Sequence, residues 1–192
     1  MNCWALLFWL ACGGPTTPAE PAQDWRGLIA GWHHPAPLPP VAFRDGDVDR
    51  TLADLRGRWT LVGFVFTRCG NAEACPLTMQ RFAVLQDAFG GDLQLVVFTL
   101  DPEHDTAARL RDYAVAYGID PDQLVLGTLP PGADPAVLRE GLPSLFNVFA
   151  LGEGPTTSHP TRLTLLAPDG TEAAHWEAAD IDAAAVRAAI AR

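Results

Sequence analysis

The stretch TLVGFVFTRCGNAEACPLTMQRFAVLQDAF, residues 60–89, decides how the chain is read. Its apolar run from Leu61 to Phe66 predicts a strand buried on both faces, followed by a polar turn with two cysteines and then an amphipathic helix. Pro76 suits the first turn of a helix, where a missing N–H is not needed, so Cys75 falls at or next to the N-cap. The positive end of the helix favours an anion there by about 0.3–1 kcal/mol. Arg68 pushes Cys69 the same way, while Glu73 between the cysteines opposes both.

Outward from this core, LQLVVFTL (93–100) reads as a second buried strand, making a parallel βαβ unit with the first. A helix follows with Ala107, Leu110, Ala114 and Tyr117 on its apolar face; Asp105 or Thr106 can cap it and Gly118 ends it. Upstream, VAFRDGDVDR (41–50) carries an Asp-Gly hairpin signal, and TLADLRGRW leads into the central strand. Downstream, a short strand over 123–126, a Pro/Gly turn and a short helix from Asp134 precede the loop LGEGPTTSHP (151–160). RLTLLAPDGTEAAHW (162–176) then predicts an antiparallel hairpin, and 182–191 a closing helix with Val186 and Ile190 inward. The sum is an α/β fold of thioredoxin-like arrangement: a central mixed sheet, a βαβ unit, and a C-terminal hairpin and helix. Open sheets of this kind place sites beyond the carboxyl ends of their strands, where the cysteine turn lies.

The 192 residues suffice for one domain with extensions, and 48% apolar content supports a sizeable core. Thirteen arginines, no lysine and 23 acidic residues give a net charge of −10, which disfavours nucleic acid as a partner. The absence of lysine removes P-loop and Schiff-base chemistry. The first eleven residues form an apolar run too short for a bilayer span, which takes about 20 residues. With Ala11, Cys12 and Gly13-Gly14 after it, the run predicts an exported chain lipidated at Cys12. Expected divisions are therefore a signal segment 1–12, a Pro-rich tether 13–40 and a domain 41–192. Export implies an oxidising compartment on the periplasmic or extracytoplasmic side.

Cys69 and Cys75 are then the remaining pair, with five residues between them. Closed as a disulfide, so small a ring contributes roughly 2–2.5 kcal/mol in the chain-entropy description. Two thiolates also suit a soft metal, with imidazole as the usual complement. His159 is the best third ligand, because in such folds the loop entering its strand packs against the cysteine turn. His104 and His175 read as solvated side chains, as does the His33-His34 pair of the tether.

The pieces FVFTRCGNAEACP, FTLDPEHDTAARLRDYAVAYG and the His159 loop resemble the Sco/SenC family of thioredoxin-like copper proteins, over about 150 residues from Val41 to the end. The resemblance implies that Cys69, Cys75 and His159 are copper ligands and that Asp101 holds a characteristic acidic position of structural role. It further implies an apo copper-accepting partner such as a cytochrome c oxidase subunit, and a membrane tether. The five-residue spacer is wider than the three of the best-known members. A thiol-disulfide oxidoreductase using Cys69 and Cys75 is the alternative, and a plain disulfide staple the simplest reading. A peroxidatic cysteine is disfavoured, since Phe66 and Ala72 stand where P-x-x-x-T-x-x-C needs threonine.

Overall fold

The computed structural model describes residues 37–150, 152 and 157–192. The signal segment, Cys12, the His33-His34 pair and the tether up to residue 36 lie outside the described residues. Near the start of the described residues, Leu38 has its side chain buried. Its N–H donates to the Gly170 carbonyl and its carbonyl accepts from Arg56, 2.8 Å away.

Seven strands form one mixed sheet. The hairpin β1 (Ala42–Asp45) and β2 (Val48–Thr51) turns at Gly46, whose φ of 59° is cheap only for glycine. β3 (Thr60–Val65), β4 (Gln94–Thr99) and β5 (Leu124–Thr128) are parallel neighbours. β6 (Arg162–Leu166) runs antiparallel to β3, and β7 (Glu172–Glu177) antiparallel to β6. The order is β2-β1-β5-β4-β3-β6-β7, so the strand leading into the cysteine turn sits inside the sheet. The expected βαβ unit, both hairpins and the closing helix are all present.

Helices α1 (Cys75–Phe89), α2 (Ala107–Ala116), α3 (Leu142–Leu145) and α4 (Ala183–Ile190) complete the body. α1 lies so close to the sheet that a Cβ on Gly63 would meet Phe82 at 3.0 Å and Leu163 at 2.7 Å. α4 is tied to α1 by Arg187, which donates to the Ala88 carbonyl and lies 4.4 Å over the Phe89 ring. Gln86 of α1 exchanges two hydrogen bonds with the Asp120 backbone, just past α2. The opposite sheet face carries Phe64 and Phe98, packed on Phe146 at the end of α3 and, for Phe98, edge-on to Phe43. The short helix expected from residue 134 is a π-turn (Val137–Gly141) running into α3.

Gly127 in β5 exists for the sake of that cluster. A Cβ there would lie 2.1 Å from the Phe98 ring. Gly127→Ala is expected to lower stability by at least about 1–3 kcal/mol through overpacking, read as a fall in melting temperature, whereas Gly91→Ala, with open space around it, should fall by much less.

His175 departs from its expected solvated state. Arg162 and Thr164 alternate with inward Leu163 and Leu165 on β6, and Arg162 is fully buried. Its Nη2 donates to Glu172 Oε1 at 2.6 Å and lies 2.9 Å from His175 Nδ1, itself 2.7 Å from the same carboxylate oxygen. A buried guanidinium needs such partners, since an uncompensated charge there would cost several kcal/mol.

Candidate metal and dithiol centre

β3 ends at Val65, and the chain then crosses the carboxyl edge of the sheet as Phe66-Thr67-Arg68-Cys69. Two acidic residues of the loop after β4 hold this segment. Asp105, 1% exposed, accepts from the Thr67 N–H at 3.0 Å, the Thr67 hydroxyl at 2.5 Å and the Thr99 hydroxyl at 2.6 Å. Asp101, also buried, pairs with Arg68, whose Nε donates to it at 2.9 Å. The structural role expected for Asp101 is thus visible. The larger part belongs to Asp105, which sequence reasoning weighed only as a helix cap. Thr106 is the cap, accepting from the Arg109 N–H at 3.3 Å.

Beyond Cys69 the turn closes on itself. The Asn71 side chain accepts from the Glu73 N–H at 3.0 Å, and its carbonyl from the Ala74 N–H at 3.1 Å. α1 then starts at Cys75 with Pro76 in its first turn, as the sequence predicts. Cys75 is fully buried and Cys69 half-buried, and both are free thiols.

His159 arrives from far along the chain. Its Nε2 lies 3.4 Å from the Cys75 sulfur, and the ring stands edge-on to Phe66 at a centroid distance of 5.9 Å. Its Nδ1 lies 2.8 Å from the Pro160 carbonyl. A carbonyl only accepts, so Nδ1 carries the proton and Nε2 presents its lone pair to the sulfur. One residue further, the Thr161 hydroxyl donates to Glu177 at 2.9 Å and its carbonyl accepts from the Ala178 N–H. These bonds anchor the loop to the end of β7.

Electrostatics divide the two sulfurs. Cys69 is lowered to about 6, chiefly because Cys75 donates a hydrogen bond to its sulfur, against a smaller opposing effect of burial. Cys75 is pushed up, first by that same bond and then by burial. The helix end favours a thiolate at Cys75, but the sequence could not show that a second sulfur in hydrogen-bond reach would take the charge instead. Cys75 has one proton and two acceptors, the Cys69 sulfur and His159 Nε2. Burial pushes His159 below the ordinary histidine range, outweighing the Pro160 bond, so the imidazole is neutral and ready to ligate. Alkylation by iodoacetamide should therefore be confined to Cys69 and rise through a midpoint near pH 6, read by mass spectrometry of quenched samples. A midpoint near the ordinary 9.0 would contradict the pairing of the sulfurs.

Cys75 and His159 are thus together, with Cys69 beside Cys75. Among the described residues no three His, Cys, Asp or Glu side chains stand close enough to hold a metal as they are. His104 is not part of the centre: its Nδ1 lies 3.2 Å from Arg109, which also donates to its carbonyl at 2.6 Å. His175 belongs to the buried Arg162 cluster.

A mixed sheet carrying two cysteines at the first strand-to-helix turn, with an imidazole folded back onto one of them, defines a thioredoxin-like protein with a dithiol centre. Residues 43–192 match the SCO1/SenC family model, and the chain belongs to that family. A Stutzerimonas stutzeri protein named "Putative copper-binding protein" is 31% identical over 133 residues, 65% of this chain, and the match spans 60% of that protein's length. Among solved structures, a SCO1/SenC family lipoprotein from Bacillus anthracis superposes with a TM-score of 0.68 at 20% identity, covering 83% of this chain and 96% of the other. ScoI from Bradyrhizobium japonicum, solved with copper bound, gives 0.66 at 22% identity, covering 81% and 99%. These likenesses establish the thioredoxin-like fold.

Proposed function

We propose that this protein binds copper through Cys69, Cys75 and His159 and hands it to an apo copper-accepting protein, in the assembly of a cytochrome c oxidase copper centre. The observation that carries the reading is the 3.4 Å approach of a neutral His159 Nε2 to the Cys75 sulfur, with its lone pair turned inward by the Pro160 carbonyl. The donor set fits the cargo, since two thiolates and an imidazole are the soft and borderline ligands copper prefers. The half-exposed Cys69 suits release, because an incoming thiolate can reach the metal on that side while Cys75 and His159 stay packed. Family membership and the copper named in its relatives support the same reading. Among the described residues no helix is long and apolar enough to cross a membrane. A membrane tether would therefore rest on the leading apolar segment and a lipid on Cys12, on the extracytoplasmic side.

Titration of the reduced protein with Cu(I) against a competing chelator should show one tight equivalent per chain. Several weak equivalents, or none, would overturn the reading.

A thiol-disulfide oxidoreductase remains the second reading, favoured by one observation: the Cys69 thiol lowered to about 6 beside a buried, protonated Cys75. In that chemistry the Cys69 thiolate attacks a substrate disulfide, and Cys75, once deprotonated, attacks the resulting mixed disulfide to release the second substrate thiol. Rapid metal-free turnover of disulfide substrates would favour it.

A further inference from the structure

Three buried side-chain polar atoms in the described residues have no hydrogen-bond partner: Arg44 Nε, Arg139 Nε and Thr78 Oγ1. Both arginines are in ion pairs, Arg44 through that same Nε with Asp49 at 3.2 Å and Arg139 through Nη1 with Glu103 at 3.3 Å. Thr78 is different, since its one polar side-chain group is the orphan and the residue is 1% exposed. Inside a helix a threonine hydroxyl commonly bonds the carbonyl four residues back. Here the Ala74 carbonyl accepts from the Thr78 N–H at 3.0 Å, and the hydroxyl is left without an acceptor. A buried hydroxyl so placed costs about 1–3 kcal/mol, which valine, of the same shape, would avoid.

The position of the orphan matters. Thr78 follows Cys75 by three residues on α1, and both belong to the buried stripe that continues through Phe82 and Leu85. Residues three apart on a helix are neighbours, with about 5–6 Å between their Cβ atoms. The Cys75 sulfur already meets the Cys69 side chain, His159 and the Phe66 N–H. When a metal binds, Cys75 gives up its proton and its sulfur becomes a negatively charged acceptor in a dry environment. A buried thiolate takes more than the single Phe66 N–H, and the nearest turn of its own helix holds a further donor, the Thr78 hydroxyl, with no other partner.

We infer that Thr78 is a positioning residue for the metal-bound state, its hydroxyl donating to the Cys75 thiolate once copper has displaced the proton. The inference rests on the copper reading above. It makes the hydroxyl idle in the metal-free protein and engaged in the loaded one, so its effect is confined to the loaded state.

The test compares wild type, Thr78→Val and Thr78→Ser, each reduced, in Cu(I) competition titrations, alongside melting of the metal-free proteins and absorption of the Cu(II)-loaded ones. Thr78→Val is expected to weaken copper binding about tenfold, the scale of one hydrogen bond to a charged group. It should move the sulfur-to-copper charge-transfer band to lower energy, because a thiolate that has lost a donor gives up its electron more easily. Its metal-free melting temperature should stay the same or rise. Thr78→Ser should keep wild-type affinity within about twofold. Equal affinity and an unmoved band for Thr78→Val and wild type would overturn the inference while leaving the copper reading intact. Wild type that binds no copper would overturn the copper reading, and the role of Thr78 with it.

Discussion

Replacing His159 with alanine should weaken copper binding by at least about 100-fold while leaving the fold unchanged. Loss of a mere hydrogen-bond partner of a metal-ligating histidine already costs about 10–100-fold, and here the ligand itself goes. The stability cost is small, because the ring's polar and aromatic contacts among the described residues are the Cys75 sulfur, an edge-on contact with Phe66 and one bond to its neighbour's carbonyl. The strand behind it is held independently by the pairing of β6 with β3 and β7. Circular dichroism and melting temperature should match wild type, so that any loss of copper is assignable to the ligand. Removal of the ring also relieves the contest for the Cys75 proton. With Cys69 as its sole acceptor, that proton stays with the sulfur pair, and the Cys69 thiolate should persist in the variant.

The second large effect is expected at Asp105, which touches neither sulfur. Its carboxylate collects three donors from two segments, the Thr67 N–H and hydroxyl and the Thr99 hydroxyl. Asp105→Ala strands all three in a buried place, at about 1–3 kcal/mol for each unsatisfied group. A net loss of at least about 3 kcal/mol follows, or roughly 6–12 °C in melting temperature for a domain of this size. Asp105→Asn keeps the shape and one acceptor oxygen and should lose less. Since Thr67 stands two residues before Cys69, copper affinity should fall in both variants, and more in the alanine one. If Asp105→Ala melted like wild type, the bolt between the β3 and β4 ends would not be what holds the turn.

How legible this was depends on the kind of signal. β3, α1 and β4 were readable because unbroken apolar runs of strand length flank a proline-marked helix start. Both hairpins announced themselves through Asp-Gly at 45–46 and 169–170, where glycine adopts φ of 59° and 88°. β5 was read only as a short possibility over 123–126, and Gly127 is the reason: it looks like a strand breaker but is a vacancy for the Phe98 ring. Residues 129–150 lacked periodicity because the chain there makes a π-turn and a one-turn helix containing Pro143, and neither repeats at a helical spacing.

At the site, the residue types that ligate metals were visible, and the structure brings His159 to Cys75 as expected. Their support was not. An aspartate next to a threonine before a helix reads as a cap, and nothing local reveals that its carboxylate turns inward to a strand end 38 residues earlier. The same holds for His175, whose partners Arg162 and Glu172 meet it only across a hairpin register. The charge on the cysteines depends on the distance between two side chains, which helix position alone does not fix.

The most direct test of the central claim is copper K-edge X-ray absorption on the reduced, Cu(I)-loaded protein and its His159→Ala variant. Two sulfurs and one imidazole nitrogen around the metal in wild type, with the nitrogen gone from the variant, are expected. A copper environment without nitrogen in wild type, or one unchanged by His159→Ala, would contradict the account.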